Sequence, residues 1–125
     1  MTIPLLEYFG KLKGKLDADA DYLAQARWLM GAVLMQVDSA AYTVYFHKGR
    51  IIEAEAGAAP TGTEFALVGT EDAWGRLLRG ELALPNALSA GLRLEGNLLK
   101  AAGNMHALCL LFSAAPGVVA PEAAS

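Results

Sequence analysis

Cysteine is almost missing from this chain: Cys109 is the only one in 125 residues. No intrachain disulfide can form, and a reducing, cytoplasmic setting is expected. Charge is scarce as well. Asp, Glu, Lys and Arg make up 18% of the sequence with a net charge of −3, and binding to a phosphate backbone needs clustered Lys and Arg. Nucleic acid is therefore excluded as a partner. The one basic cluster, Lys11, Lys13 and Lys15, offers at most a transient touch on an anionic membrane, and reads more simply as solvated residues closing a helix. Residues 1–10 lack the basic start and apolar block of a secretory leader. The longest apolar segment, residues 98–112, is too short to span a bilayer and contains Lys100, Asn104 and His106. No glycines have the strand–loop–helix spacing of a phosphate or dinucleotide loop.

What the chain has in excess is apolar surface. Hydrophobic residues reach 54%, beyond the usual share of a soluble protein, and the surplus must enter a core, an interface or a cavity for an apolar ligand. Composition does not choose among the three. The length suits one domain with one core. It is expected over residues 1–115, with helices in 1–28 and a sheet with further helices in 29–112, and 116–125 as a flexible tail of Ala, Gly, Pro and Val.

Thr2 and Pro4 suit the start of a first helix, on which Leu5, Leu6, Phe9, Leu12 and Leu16 recur at helical spacing. Asp19 or Asp21 caps a second helix running to about Trp28. From Gly31 the pattern turns to strand: residues 31–37, a turn at Asp38-Ser39, residues 42–47, a turn at Lys48-Gly49, and a third strand. In that third strand Ile52, Ala54 and Ala56 are read as the dry face, and Ile51, Glu53 and Glu55 as the wet one. Turns this short make the three strands antiparallel. Phe65, Leu67 and Gly69 form a fourth strand. Thr70 caps a helix carrying Trp74, Leu77 and Leu78, which Gly80 ends. Pro85 opens another short helix with Leu84, Ala87 and Leu88, closed by Gly91. Leu92 and Leu94 point inward from a fifth strand. Asn97 then caps a single last helix, with Leu98, Ala101, Ala102, Met105, Leu108, Cys109 and Phe112 on one face and Lys100 and Asn104 opposite.

Few residues suggest chemistry. His106 and Cys109, three apart on a helix, could begin a metal site or a nucleophile–base pair. A metal needs three or four ligands, a thiol–imidazole pair needs a third group to orient the base, and His47, the only other histidine, sits on a strand that the sequence does not place beside them. Glu53 and Glu55 share one side of a strand, as acid–base carboxylates do, but strand alternation already explains them as a solvated face. No catalytic residue, metal or cofactor is assigned, and a non-enzymatic role is expected. The remaining signal is greasy: Leu77, Leu78, Leu82, Leu84, Leu88 and the Met105 helix face a sheet, with small Ala83, Ala87, Ala90, Ala101, Ala102 and Gly103 between them. On periodicity alone such a stripe is more often a filled core than a cavity.

The order and spacing of several motifs carry a resemblance. Phe65-x-Leu67-x-Gly69-Thr70, followed by Trp74, Leu77-Leu78 and Gly80, is similar to a strand–turn–helix of the sterol-carrier-protein-2-like (SCP-2) lipid-binding family. Ala87-Leu88-x-x-Gly91-x-Arg93-Leu94-x-Gly96-Asn97 resembles that family's following strand and cap, and Tyr42-x-Val44-x-Phe46-x-x-Gly49-x-Ile51 its earlier hairpin. The match spans residues 31–112. The resemblance implies an α+β fold: a five-stranded, mainly antiparallel sheet backed by helices that enclose an apolar tunnel. The tunnel would accept fatty acyl chains, acyl-coenzyme A, sterols or isoprenoid lipids. Its lining would come from Phe65, Leu67, Trp74, Leu77, Leu78, Leu82, Leu84, Ala87, Leu88, Leu92, Leu94, Met105 and Leu108. The implied role is a non-catalytic lipid carrier. The alternative is a protein–protein accessory or dimerisation module serving a lipid- or quinone-related enzyme, so a homodimer and an enzyme partner both stay open. The sequence ends without a peroxisomal address, and no organelle role is expected.

Overall fold

Strand-forming residues between short turns dictate most of the architecture. A computed structural model of the protein describes residues 5–59 and 62–113. In chain order the elements are α1 (Leu5–Asp17), α2 (Ala20–Gln25), β1 (Gly31–Val37), β2 (Ala40–His47), β3 (Arg50–Ala56), β4 (Phe65–Gly69), α3 (Glu71–Leu78), α4 (Leu84–Ala87), β5 (Leu92–Gly96), α5 (Leu98–Gly103) and α6 (Met105–Ser113). The strands form one sheet in the order β3-β2-β1-β4-β5. The β1–β2, β2–β3 and β4–β5 pairs are antiparallel, the first two as the short turns require, and β1 and β4 run parallel. Asp38 and Lys48 take positive φ, 53° and 51°, the left-handed backbone that tight hairpins need.

One face of the sheet carries Val33, Met35, Val44, Phe46, Phe65, Leu67 and Leu92, all buried in a single core with Phe9, Leu12 and Leu16 of α1, Trp74, Leu77 and Leu78 of α3, and Leu108 and Leu111 of α6. Thr43, Tyr45, Glu53 and Glu55 occupy the other face, where the Tyr45 hydroxyl bonds Glu55 at 2.8 Å. The expected caps are present: the Tyr22 amide donates to Asp19 Oδ1 (3.0 Å), that of Ala73 to Thr70 Oγ1 (3.1 Å) and that of Lys100 to Asn97 Oδ1 (3.0 Å). Each satisfies an orphan amide of a helix's first turn. Gly80 follows the end of α3 with a φ of 80°, whereas α4 already closes at Leu88 and Gly91, with a φ of 112°, turns the chain into β5.

Four expectations need correction. In β3, Ile51 is buried and Ile52 is 56% exposed, the reverse of the alternation read from sequence. A bulge explains it: Tyr45 pairs with Glu53 and Phe46 with Ile51, leaving Ile52 as the extra residue turned outward. The last helix is two. Asn104 interrupts it, its side-chain amide donating to the Lys100 carbonyl at 3.1 Å. That break shifts the buried face, which is Ala101, Asn104, Ala107, Leu108, Leu111 and Phe112; Leu98 and Ala102 are exposed, and Asn104 is not on the wet side. On α1, Leu6 is exposed and Tyr8 is buried. Finally α2 stops at Gln25, leaving Trp28 70% exposed. The first-helix cap at Thr2 and Pro4 and the tail 116–125 lie outside the described residues.

Candidate ligand site

The run from Gly80 to Pro85 cannot continue a helix. Gly80 reverses the chain, the amides of Glu81 and Leu82 fold back onto the Arg76 carbonyl (2.9 and 3.2 Å), and Pro85 lacks the amide that would join α3 to α4. The four-residue α4 starts only after the turn, and its last turn closes through the Leu88 amide on the Leu84 carbonyl (3.0 Å). A hollow of about 260 Å³ remains between this turn and α6, lined by Leu77, Gly80, Leu82, Ala83, Leu84, Pro85, Cys109, Phe112 and Ser113.

The walls are predominantly apolar, and their few polar side chains are accounted for. The Ser113 hydroxyl donates to the Leu110 carbonyl at 2.7 Å. The Cys109 thiol is half-buried, and loss of water around it pushes its pKa up. Phe112 meets Trp74 edge-on, ring centres 5.9 Å apart, and the Trp74 indole donates to the Gln36 carbonyl at 2.8 Å. Through Phe112 and Trp74 the inner wall is thus tied to the sheet.

Of the residues expected to line a tunnel, Leu77, Leu82 and Leu84 meet at this hollow. Phe65, Leu67, Trp74, Leu78, Ala87, Leu92 and Leu108 are buried in the core behind it, with Leu88, Leu94 and Met105 half-buried against that core. Gly80, Ala83, Pro85, Cys109, Phe112 and Ser113 line it too and stand outside the expected set. The signal for the first three is the glycine and proline bracketing a four-residue stretch, which forbids one long helix there. His106 is exposed while Cys109 looks into the hollow, and among the described residues no three His, Cys, Asp or Glu side chains converge as metal ligands would. A second depression of about 430 Å³, lined by Ala32, Tyr45, Gly62, Thr63 and Glu64, is wider, more open and mainly polar. Among the described residues no helix is long and apolar enough to cross a membrane.

No protein-family model matches the sequence, and none of the curated proteins does. Solved structures do. A sterol carrier protein 2 crystal structure superposes with a TM-score of 0.75 at 21% identity, over 90% of this chain and 95% of that one. A protein from Thermus thermophilus, described as possibly a sterol carrier protein, gives 0.74 at 21% identity over 94% and 90%. A ubiquinone synthesis protein described as UbiJ-SCP2 gives 0.61 at 14% identity over 89% and 95%. The agreement runs over nearly the whole of each chain, and this chain has the α+β fold of sterol carrier protein 2.

Proposed function

We propose that the protein is a non-catalytic lipid-binding domain that holds an apolar chain in the hollow between the 80–85 turn and α6. The observation that carries this reading is the apolar hollow itself, standing on the helical side of a fold shared with sterol carrier protein 2. At about 260 Å³ it falls just short of the ~300–1,000 Å³ of drug-sized sites. It accepts one end of a chain as it stands. Swinging the half-buried Leu82 aside is the motion that admits the rest.

The energetics allow it. Burying about sixteen methylenes at ~0.8 kcal/mol each gains on the order of 12 kcal/mol, against an association cost of ~4–15 kcal/mol. Affinity is decided by how much of the site is already open. A fatty acyl chain, an acyl-coenzyme A, a sterol or an isoprenoid lipid all offer the required surface, and the lone thiol suits a cytoplasmic carrier.

A second reading is favoured by one observation, the likeness to the ubiquinone synthesis protein: an accessory module serving a lipid- or quinone-related enzyme, with the apolar ligand presented to a partner. Native mass spectrometry of freshly purified protein, followed by titration with a dansyl-labelled fatty acid, tests the carrier. Co-purified lipid or saturable one-to-one binding of the probe is expected. A lipid-free protein that never binds the probe contradicts the carrier and leaves the module.

A further inference from the structure

One end of the sheet collects apolar side chains that the core does not use. Among the described residues the large apolar side chains most open to solvent are Leu6, Trp28, Met30, Ile52, Leu98 and Leu99. Trp28 and Met30 immediately precede β1, and Leu98 and Leu99 follow β5. Pairing puts both at the same end: Val33 of β1 lies beside Phe65 of β4, and Phe65 beside Gly96 of β5. Two strand spacings, about 10 Å, separate the ends of β1 and β5 from which these segments depart. The exposures are high, 70% for Trp28 and 86% for Leu99.

Cations stand among them. The β2–β3 turn, with Lys48 and Arg50, closes the same end of the sheet. It is fastened to the Trp28 segment by the Gly49 amide on the Leu29 carbonyl (2.9 Å) and to α2 by the Tyr22 hydroxyl on the Gly49 carbonyl (2.7 Å). The Arg27 guanidinium lies 5.6 Å from the Trp28 ring centre. Asp17 and Glu64, which reach this end, are paired with Lys13 and Arg50, and with Lys100. Asp19 is engaged as the cap of α2. The opposite end of the sheet carries Asp38, Glu71 and Asp72, while Trp28, Met30, Leu98 and Leu99 adjoin the strand ends at this one.

An exposed indole beside leucines and flanked by cations suits one surface, the boundary between anionic headgroups and acyl chains, where Trp concentrates and Lys and Arg meet phosphate. We propose that this end of the sheet docks the protein on an anionic bilayer, with Trp28, Met30, Leu98 and Leu99 entering the interface and Arg27 and Lys48 on the headgroups. Docking on this surface does not require an occupied hollow, so it goes beyond the proposed carriage of a lipid.

Sedimentation with vesicles tests it. The protein is expected to pellet with phosphatidylcholine–phosphatidylglycerol vesicles and to stay in solution with phosphatidylcholine alone. Its tryptophan emission should shift to the blue on binding, since Trp28 is open and Trp74 is already buried. The double variant Trp28→Ser, Leu99→Ser and the separate Lys48→Glu should each weaken vesicle binding at least about tenfold, with an unchanged thermal midpoint and unchanged fatty-acid titration in the absence of vesicles. Failure to pellet with anionic vesicles, equal pelleting with neutral ones, or undiminished binding by the variants would overturn the proposal. So would a gel-filtration dimer that the double variant converts to a monomer, because this end would then be an interface between copies. Loss of fatty-acid binding in the wild type with docking intact sinks the carrier and leaves the docking surface standing.

Discussion

Trp74 and Cys109 belong to the same helical layer, yet one is shut in and the other looks into space. Around Trp74 everything closes: the indole is fully buried, bonded to the Gln36 carbonyl and met edge-on by Phe112. Around Cys109 the neighbours are equally apolar, but Gly80 and Pro85 keep two short helices from closing over it. Side-chain chemistry does not separate the two regions. Backbone punctuation does, and a hollow survives where helices are forced apart by residues that cannot be helical.

The largest contrast is expected from truncation. Trp74→Ala removes a fully buried ring and strands the Gln36 carbonyl, and should cost ~3–5 kcal/mol in urea denaturation. Leu82→Ala, at the rim of the hollow, should cost less than about 1 kcal/mol while changing affinity for the fatty-acid probe. Equal destabilisation by the two would erase the distinction between centre and hollow.

Insertion of bulk gives the next largest. Ala87 is fully buried beside the hollow, so Ala87→Phe overpacks and should cost ~1–3 kcal/mol. Cys109→Phe instead grows into free space: the melting temperature should hold, and probe affinity should fall at least about tenfold, or ~1.4 kcal/mol. A Cys109→Phe protein that melts early, in step with Ala87→Phe, would mean the hollow has no room to give.

Tyr22→Phe should cost about 1 kcal/mol by removing the buried bond to the Gly49 carbonyl, and should leave probe binding alone, since Tyr22 is not among the hollow's walls. The smallest effect is on pH. Burial raises the Cys109 pKa, so the folded thiol ionises later than the unfolded one. The associated stability is complete below the unfolded value and is lost as pH rises through the folded one. Alkylation of native protein should therefore have its pH midpoint above that of the urea-unfolded chain, and coincident midpoints would mean the thiol is fully wet.

Local rules made much of the fold legible. Thr70, Asn97 and Asp19 cap helices because a short polar side chain before an apolar repeat has orphan amides to satisfy, and Asp38 and Lys48 turn hairpins whose flanking residues are strongly β-forming. Three features needed the tertiary structure. The bulge that turns Ile52 outward depends on how β3 registers against β2. The break at Asn104 depends on a side-chain bond to the Lys100 carbonyl and on burial of that amide, neither visible in an apolar run. The parallel β1–β4 pair depends on where the chain returns after the hairpin. At the candidate site, inward Leu77 and Leu84 were readable from helical spacing, whereas Cys109 and Phe112 were readable as helical and inward but not as walls of a hollow. Periodicity reports which face is dry; it does not report whether the dry space is filled.

The most direct measurement uses the thiol that looks into that space. Native protein is alkylated with a maleimide with and without saturating fatty acid, and modification of Cys109 is followed by intact mass. Occupancy of the hollow should slow the reaction at least about tenfold and leave the urea-unfolded control unaffected. A fatty acid that binds while Cys109 reacts at its free rate would place the ligand elsewhere and contradict the assignment of this hollow as the site.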